Sequence, residues 1–327
     1  MRYICAAYNA VPPSDPWNAD PEQEFHRGLA AMPRVGGLEV PLHPSGKIHL
    51  HDPDWLLNQF DARWDFILTL IPGTLQTVQK EPRFGLASHD DTGRRAALRL
   101  VEQARQTVIT INTHAKRQAV RWVELHSAPR RGVAGVESSA RALSDALGEI
   151  ASWDWQGARI AIEHCDRFIP GQPPEKGFLS IEEELEAITK AGLKGKVGMV
   201  INWGRSAIEG RSAQTPLEHI RAAKAAGVLA GVTFSGASPQ DPLYGEWRDQ
   251  HLPFAPRVSG GLGCQGSLLT SQVATECLHA AEPNTLSFVG VKIQPLPAAL
   301  SVTERLRLLE DTFSVLDGCL GVSGGKR

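Results

Sequence analysis

Short apolar, β-branched runs alternate with longer amphipathic stretches along the whole chain. The runs predict strands at residues 2–8, 38–42, 65–71, 119–125, 159–163, 197–202, 230–234 and 286–293. Apolar residues at helical spacing follow each run, at 21–31, a short turn around 54–60, 94–116, 139–152, 181–191, 216–226, 268–281 and 302–316. Eight strand–helix pairs in alternation predict a single (β/α)₈ barrel domain over residues 1–327, with a doubly wound sheet as the rival.

Local chemistry supports the polarity of these units. Ser180 with Glu183, Thr215 with Glu218 and Ser301 with Glu304 have capping-box spacing at helix starts. Pro216 falls at a first helical position, where a missing N–H costs nothing. Gly192 and Gly227 stand just past helix ends, as left-handed caps do. Long loops are expected at 9–20, 72–92, 164–180 and 235–267, all leaving the C-terminal ends of strands, where barrels build their sites. The last, rich in glycine, proline and aromatics, suits a lid or a subunit contact in a homo-oligomer.

Composition narrows the function classes. A 42% hydrophobic content over 327 residues is ample for one large core. A formal net charge of −2 offers no footprint for nucleic acid or an anionic membrane. No apolar stretch approaches the roughly 18 residues that span a bilayer, and the first residues read as a strand rather than a signal peptide, so a soluble, cytoplasmic protein is expected. Cys5, Cys165, Cys264, Cys277 and Cys319 are scattered and form no CxxC pair, which argues against a disulfide framework or a thiolate zinc site.

Strands buried on both faces should be apolar throughout, so their polar residues mark the candidate site. These are Glu39, Glu124, His126, Glu163, His164, Asn202, Arg205, Thr233, Ser235, Lys292 and Gln294. Each alone is compatible with a satisfied polar residue in the upper barrel layer. Convergence from six strands on one rim points to a site. Glu163 and Lys292 form the sharpest pair, since a carboxylate and an ammonium inside a barrel are costly unless they meet.

At these residues the chain resembles the xylose isomerase-like barrels, which include sugar isomerases, ketose 3-epimerases, inosose dehydratase and endonuclease IV. Gly36-Gly-Leu-Glu-Val-Pro-Leu42 is similar to their second strand, Ala161-Ile-Glu163 to their fifth, and Phe288-Val-Gly-Val-Lys-Ile-Gln-Pro295 to the eighth strand of the hydroxypyruvate isomerase branch. The resemblance implies a divalent metal held by acids and a histidine from strands five to eight. Here Glu163 remains, Asn202 stands for the sixth-strand acid, a nearby family histidine falls near Arg205, the seventh-strand histidine maps to Gly231 or Thr233, and Lys292 replaces the eighth-strand glutamate. A charged ammonium cannot ligate a metal, so no cofactor is expected, with Mg²⁺ or Mn²⁺ as the alternative.

The resulting expectation is a metal-independent isomerase or epimerase acting on a small carbohydrate or sugar acid. Glu163, Lys292 and His126 are the expected catalytic residues. Glu39, Glu124, His164, Asn202, Arg205, Thr233, Trp247, His251 and Arg257 are expected to bind substrate. The alternatives are a non-catalytic or aldolase-like barrel binding an anionic sugar, with Lys292 available for a Schiff base, and, more remotely, endonuclease IV-like chemistry. Among weaker motifs, Gly261-Leu-Gly-Cys-Gln-Gly266 suits either an anion cradle before a helix or a flexible loop. His49 and His51 suit exposed or helix-capping roles better than a metal site, and Glu182–Glu184 reads as a solvated first helical turn.

Overall fold

In the computed structural model, which describes residues 1–258 and 261–321, eight parallel strands close into a barrel in sequence order. They are β1 (Tyr3–Cys5), β2 (Val35–Pro41), β3 (Asp65–Thr69), β4 (Val120–Leu125), β5 (Arg159–His164), β6 (Val197–Asn202), β7 (Leu229–Phe234) and β8 (Phe288–Val291). Around them run α1 (Ala7–Ala10), α2 (Ala19–Ala30), α3 (Pro53–Leu57), α4 (Ile71–Val78), α5 (Asp91–Ala115), α6 (Ala140–Ile150), α7 (Ile181–Lys190), α8 (Trp203–Gly210), α9 (Thr215–Ala225), α10 (Ser271–Ala281) and α11 (Val302–Cys319). No helix among the described residues is long and apolar enough to cross a membrane.

Alternation along the strands separates two packing layers. Val123, Leu125, Ile160, Ile162, Val232 and Val289 face outward into the main core beneath the helices. Ile4, Ile67, Trp122, Ala161 and Val200 fill the barrel interior with Phe288. Glycines on facing strands make room for the two large rings. A Cβ on Gly198 would stand 2.9 Å from the Trp122 ring, and one on Gly231 2.6 Å from the Phe288 ring. The floor is therefore plugged with apolar bulk, and polar groups collect above it.

Gly37 permits a closer approach, because a Cβ there would lie 1.8 Å from the carbonyl oxygen of Asp65 on the neighbouring strand. Backbone cannot yield as a side-chain tip can. Gly37→Ala is expected to lower stability by about 3 kcal/mol, the upper end for overpacking, read as a reduced denaturant midpoint.

The caps separate the expectations. Ser180 with Glu183 and Ser301 with Glu304 form complete capping boxes, and Gly192 and Gly227 adopt φ of 64° and 72°. Thr215 does not cap: its helix begins one residue earlier than expected, with Gln214 at the N-cap, so Thr215 is already inside. The first third of the expected 72–92 loop is helical, as α4 with Pro72 in its first turn, and the rest runs as a loop to α5. The expected third strand is correspondingly shorter, because Ile71 opens that helix.

Candidate functional site

Glu163 ends the inward-facing row of β5 above Ala161 and is completely buried. Its Oε2 lies 2.6 Å from Arg205 Nη1 and 2.9 Å from His126 Nε2. Its Oε1 accepts from Asn202 Nδ2 at 3.1 Å and lies 3.9 Å from Lys292 Nζ. Asn202 also accepts the Arg205 backbone N–H at 3.3 Å, so one side chain caps α8 and fixes Glu163. Lys292 has a closer partner in Glu39, whose Oε1 receives Nζ at 2.7 Å and the Tyr8 hydroxyl at 2.8 Å. On the other side, Arg205 Nε donates to Asp249 Oδ2 at 3.1 Å, and Lys176 pairs with the same oxygen. Charges thus alternate across the mouth in a file: Glu39, Lys292, Glu163, Arg205, Asp249, Lys176.

The file sets the protonation of its members. Burial pushes the Glu163 carboxyl up, but Arg205, Lys292 and the His126 hydrogen bond outweigh it and hold the group well below the usual range. Burial likewise opposes the Lys292 charge, and Glu163 and Glu39 overcome it, leaving the ammonium well above its ordinary value. Glu124 goes the other way. Burial, with Glu163 and Glu39 nearby, raises it well above the carboxylate range, so it is a neutral acid. Neither of its oxygens, nor Oγ1 of Thr69 at the paired position on β3, has a hydrogen-bond partner among the described residues. Buried polar atoms of this kind mark places where a polar ligand or water completes the bonding.

Two cavities flank the file. One, of about 330 Å³, touches Tyr8 and Glu39 and is walled by Trp17, His26, His43, His49 and His51. The other, of about 540 Å³, opens onto Lys176 and Asp249 between Arg130, Phe178 and Arg248.

At the positions where the resemblance implies metal ligands stand Glu163, Asn202, Gly231 or Thr233, and Lys292. Lys292 has no lone pair to offer while protonated, and Arg205 and His126 both engage Oε2 of Glu163. Magnesium and manganese ask for oxygen donors. This donor set does not fit them.

Residues 4–308 match the family described as domain of unknown function DUF4862. The chain belongs to that family. It is similar to Uncharacterized protein STM3670 of Salmonella typhimurium strain LT2, with 36% identity over 318 residues and 96% of each chain covered. Among solved structures it is similar to the IolI protein with a bound zinc atom, with a TM-score of 0.60, 11% identity, and 97% of this chain and 99% of that one covered. It also matches 3-keto-D-glucoside 4-epimerase, YcjR, from E. coli (0.55, 12%, 90% and 93%) and D-psicose 3-epimerase (0.54, 12%, 98% and 97%). At these identities the likenesses show the fold alone, a closed (β/α)₈ barrel shared by the DUF4862 chain and these proteins.

Of the expected site residues, the structure brings together Glu39, Glu124, His126, Glu163, Asn202, Arg205, Thr233, His251 and Lys292 at the mouth. Three lie elsewhere. His164 follows the parity of Ile160 and Ile162, faces away from the mouth, and binds Glu184 and Glu209. Trp247 lies against the Arg211 guanidinium, and Arg257 pairs with Asp311 of α11. Glu184 is not solvated either: it is fully buried and accepts from the Ser127 hydroxyl at 2.5 Å. The glycine-rich segment does not run directly into a helix, because α10 starts at Ser271 rather than Leu268 and Thr270 caps its N-terminus. His49 accepts the backbone N–H of Asp52, which caps α3, and meets the Trp17 ring edge-on, while His51 stacks on that ring. Tyr8, expected at the end of the first strand, lies instead in α1, because β1 stops at Cys5; Lys176 and Asp249 carried no periodic signal, and only loop packing delivers them.

His251 offers a pH test. It sits 2.9 Å from Ser235 Oγ and 3.3 Å from Asp249 Oδ1, and burial lowers it to about 3 despite that carboxylate. An unfolded histidine titrates near 6.5. Between those values the unfolded chain binds the extra proton, so stability from this group is present above pH ~6.5 and lost as pH falls toward 3. The stability difference between wild type and His251→Gln should therefore grow from pH 4 to 6.5 and then level off, measured by urea melts.

Proposed function

We propose that this DUF4862 protein isomerises or epimerises a small polar carbohydrate or sugar acid by moving a proton next to a carbonyl, without a divalent metal ion. The observation carrying this reading is the Glu163 carboxylate held between Arg205 and Lys292 beside the neutral acid Glu124. The epimerases among its structural neighbours supply the reaction class.

In the closed site Glu163 is a weak base, because two cations stabilise its charge. A substrate carbonyl seated against Lys292 and Arg205 changes this balance. As the α-proton leaves carbon, negative charge grows on the carbonyl oxygen and competes for the same cations. Their hold on Glu163 weakens, and its basicity rises as the enediolate forms. Glu124 can then protonate the enediolate, and His126, neutral and lowered to about 4 mainly by burial, can relay a proton between oxygens. The Lys176–Asp249 pair joins the 164–180 and 235–267 loops over the mouth and the Arg205–Asp249 pair ties the second of them to α8, so substrate entry requires those loops to part. Schiff-base chemistry is disfavoured, since two carboxylates hold Lys292 as the ammonium.

The test is incubation with a panel of aldoses, ketoses, keto-glycosides and sugar acids in D₂O. One C–H signal should disappear from the proton NMR spectrum as an isomer or epimer accumulates, and adding Mg²⁺ or Mn²⁺ should not raise the rate. Tight binding of a sugar without exchange would favour the non-catalytic reading. Turnover that depends on added Mg²⁺ or Mn²⁺ would overturn the metal-free mechanism.

A further inference from the structure

The outer face of β5 carries a second cluster, separate from the mouth. His164 from β5, Glu209 from α8 and His219 from α9 are all buried, and their ligating atoms lie within 4.8 Å of one another. His164 Nε2 is 3.2 Å from Glu209 Oε2, and His219 Nε2 is 3.5 Å from Glu209 Oε1. We propose that these three side chains form a binding site for one zinc ion, which fastens β5 to α8 and α9.

Three observations support it. First, both histidines are oriented from behind. His164 Nδ1 meets Glu184 at 2.7 Å, and Glu184 is itself held by Ser127, while His219 Nδ1 meets Ser206 Oγ at 3.0 Å. Each ring therefore turns its Nε2 toward the same carboxylate, the arrangement in which outer hydrogen bonds fix metal-ligating histidines. Second, the spacing is within reach of the ion. Zinc bonds of about 2.0–2.1 Å in a tetrahedron place neighbouring ligand atoms about 3.3–3.4 Å apart; here the two Nε2 atoms meet different oxygens of Glu209 at 3.2 and 3.5 Å, and all three ligating atoms lie within 4.8 Å, so a shift of about 1 Å draws them onto one centre. Third, the donor set is two imidazoles and a carboxylate, which zinc accepts, with water as the fourth ligand. The Arg167 backbone N–H steadies Glu209 Oε2 at 2.8 Å. The Arg167 side chain, 45% exposed, lies 3.3 Å from Oε1 and can swing into solvent as the ion enters.

The location gives the ion a purpose. His164 is next to Glu163 in the chain but on the opposite face of the strand, and Glu209 lies one turn beyond Arg205 on α8. An ion joining His164 to Glu209 fixes the two elements that present the Glu163–Arg205 pair, and it touches no group at the mouth.

Full-length protein stripped with a chelator and dialysed should bind one Zn²⁺ per chain by calorimetry. Co²⁺ should give the visible d–d bands of four-coordinate cobalt, and Zn²⁺ should raise the melting temperature. Glu209→Gln and His219→Ala should weaken Zn²⁺ binding at least about 100-fold, and Ser206→Ala, which keeps all three ligands and is the milder change, about 10–100-fold. Glu163→Gln should bind Zn²⁺ as tightly as wild type, which separates this site from the mouth and its failure from that of the proposed function. Wild-type protein that gives neither stoichiometric Zn²⁺ binding nor four-coordinate cobalt bands would reduce the cluster to a histidine–carboxylate network. Binding unchanged in folded Glu209→Gln and His219→Ala, or lost in Glu163→Gln, would place the ion elsewhere and overturn the proposal.

Discussion

Lys292→Met is expected to lower the unfolding free energy by about 3–5 kcal/mol, the range for breaking a buried ion pair from one side, and to abolish turnover. Methionine roughly preserves the volume of this fully buried side chain, so the effect comes from charge rather than from a cavity. The ammonium lies 2.7 Å from Glu39 and 3.9 Å from Glu163, and its loss leaves Glu39 with the Tyr8 hydroxyl as its remaining side-chain donor. Chemical denaturation compares the variants. Adding Glu39→Gln should recover part of the loss, because the uncompensated carboxylate is then removed as well. Activity should not return with stability, since the proposed reaction needs a positive charge at the substrate oxygen.

Glu163→Gln is expected to lower turnover by about 10²–10⁴-fold, the usual contribution of a positioned acid or base. Glutamine keeps the shape, but its single oxygen can accept from Arg205 or from Asn202 and not from both, and it cannot take the α-proton. Solvent exchange and product formation should fall together, with KM changing far less than kcat. An unchanged rate of deuterium incorporation would remove Glu163 from the proton-transfer step. Stability should fall too, because the partner 2.6 Å from Arg205 loses its negative charge and Asp249 is left as the one carboxylate beside that guanidinium.

The barrel was legible because its signal is periodic. The 197–202 run coincides with β6, and Glu163 and Lys292 stood out because charge is rare in strands buried on both faces. His164 shows the limit of that reasoning. Polarity placed it near the rim, but the two-residue alternation that turns Glu163 inward turns His164 outward, and its carboxylates come from α7 and α8. The α8 helix was hidden because its N-cap, Asn202, also reads as a strand-end polar residue. Lys176 and Asp249 lie 73 positions apart on two loops, so their pairing is a product of tertiary packing alone.

The alternating file has a consequence for how a ligand arrives. Each positive group stands between or beside carboxylates, so the fields of the six largely cancel a few ångströms outside the mouth. Such an entrance neither draws in anions nor repels them. Long-range steering, which speeds encounter in strongly charged clefts and fades with ionic strength, has little to act on. The specificity constant of the proposed reaction should therefore change by less than about twofold between 20 and 300 mM salt. Selection would fall instead to direct hydrogen bonding after contact, a discrimination well matched to a ligand distinguished by its hydroxyl groups.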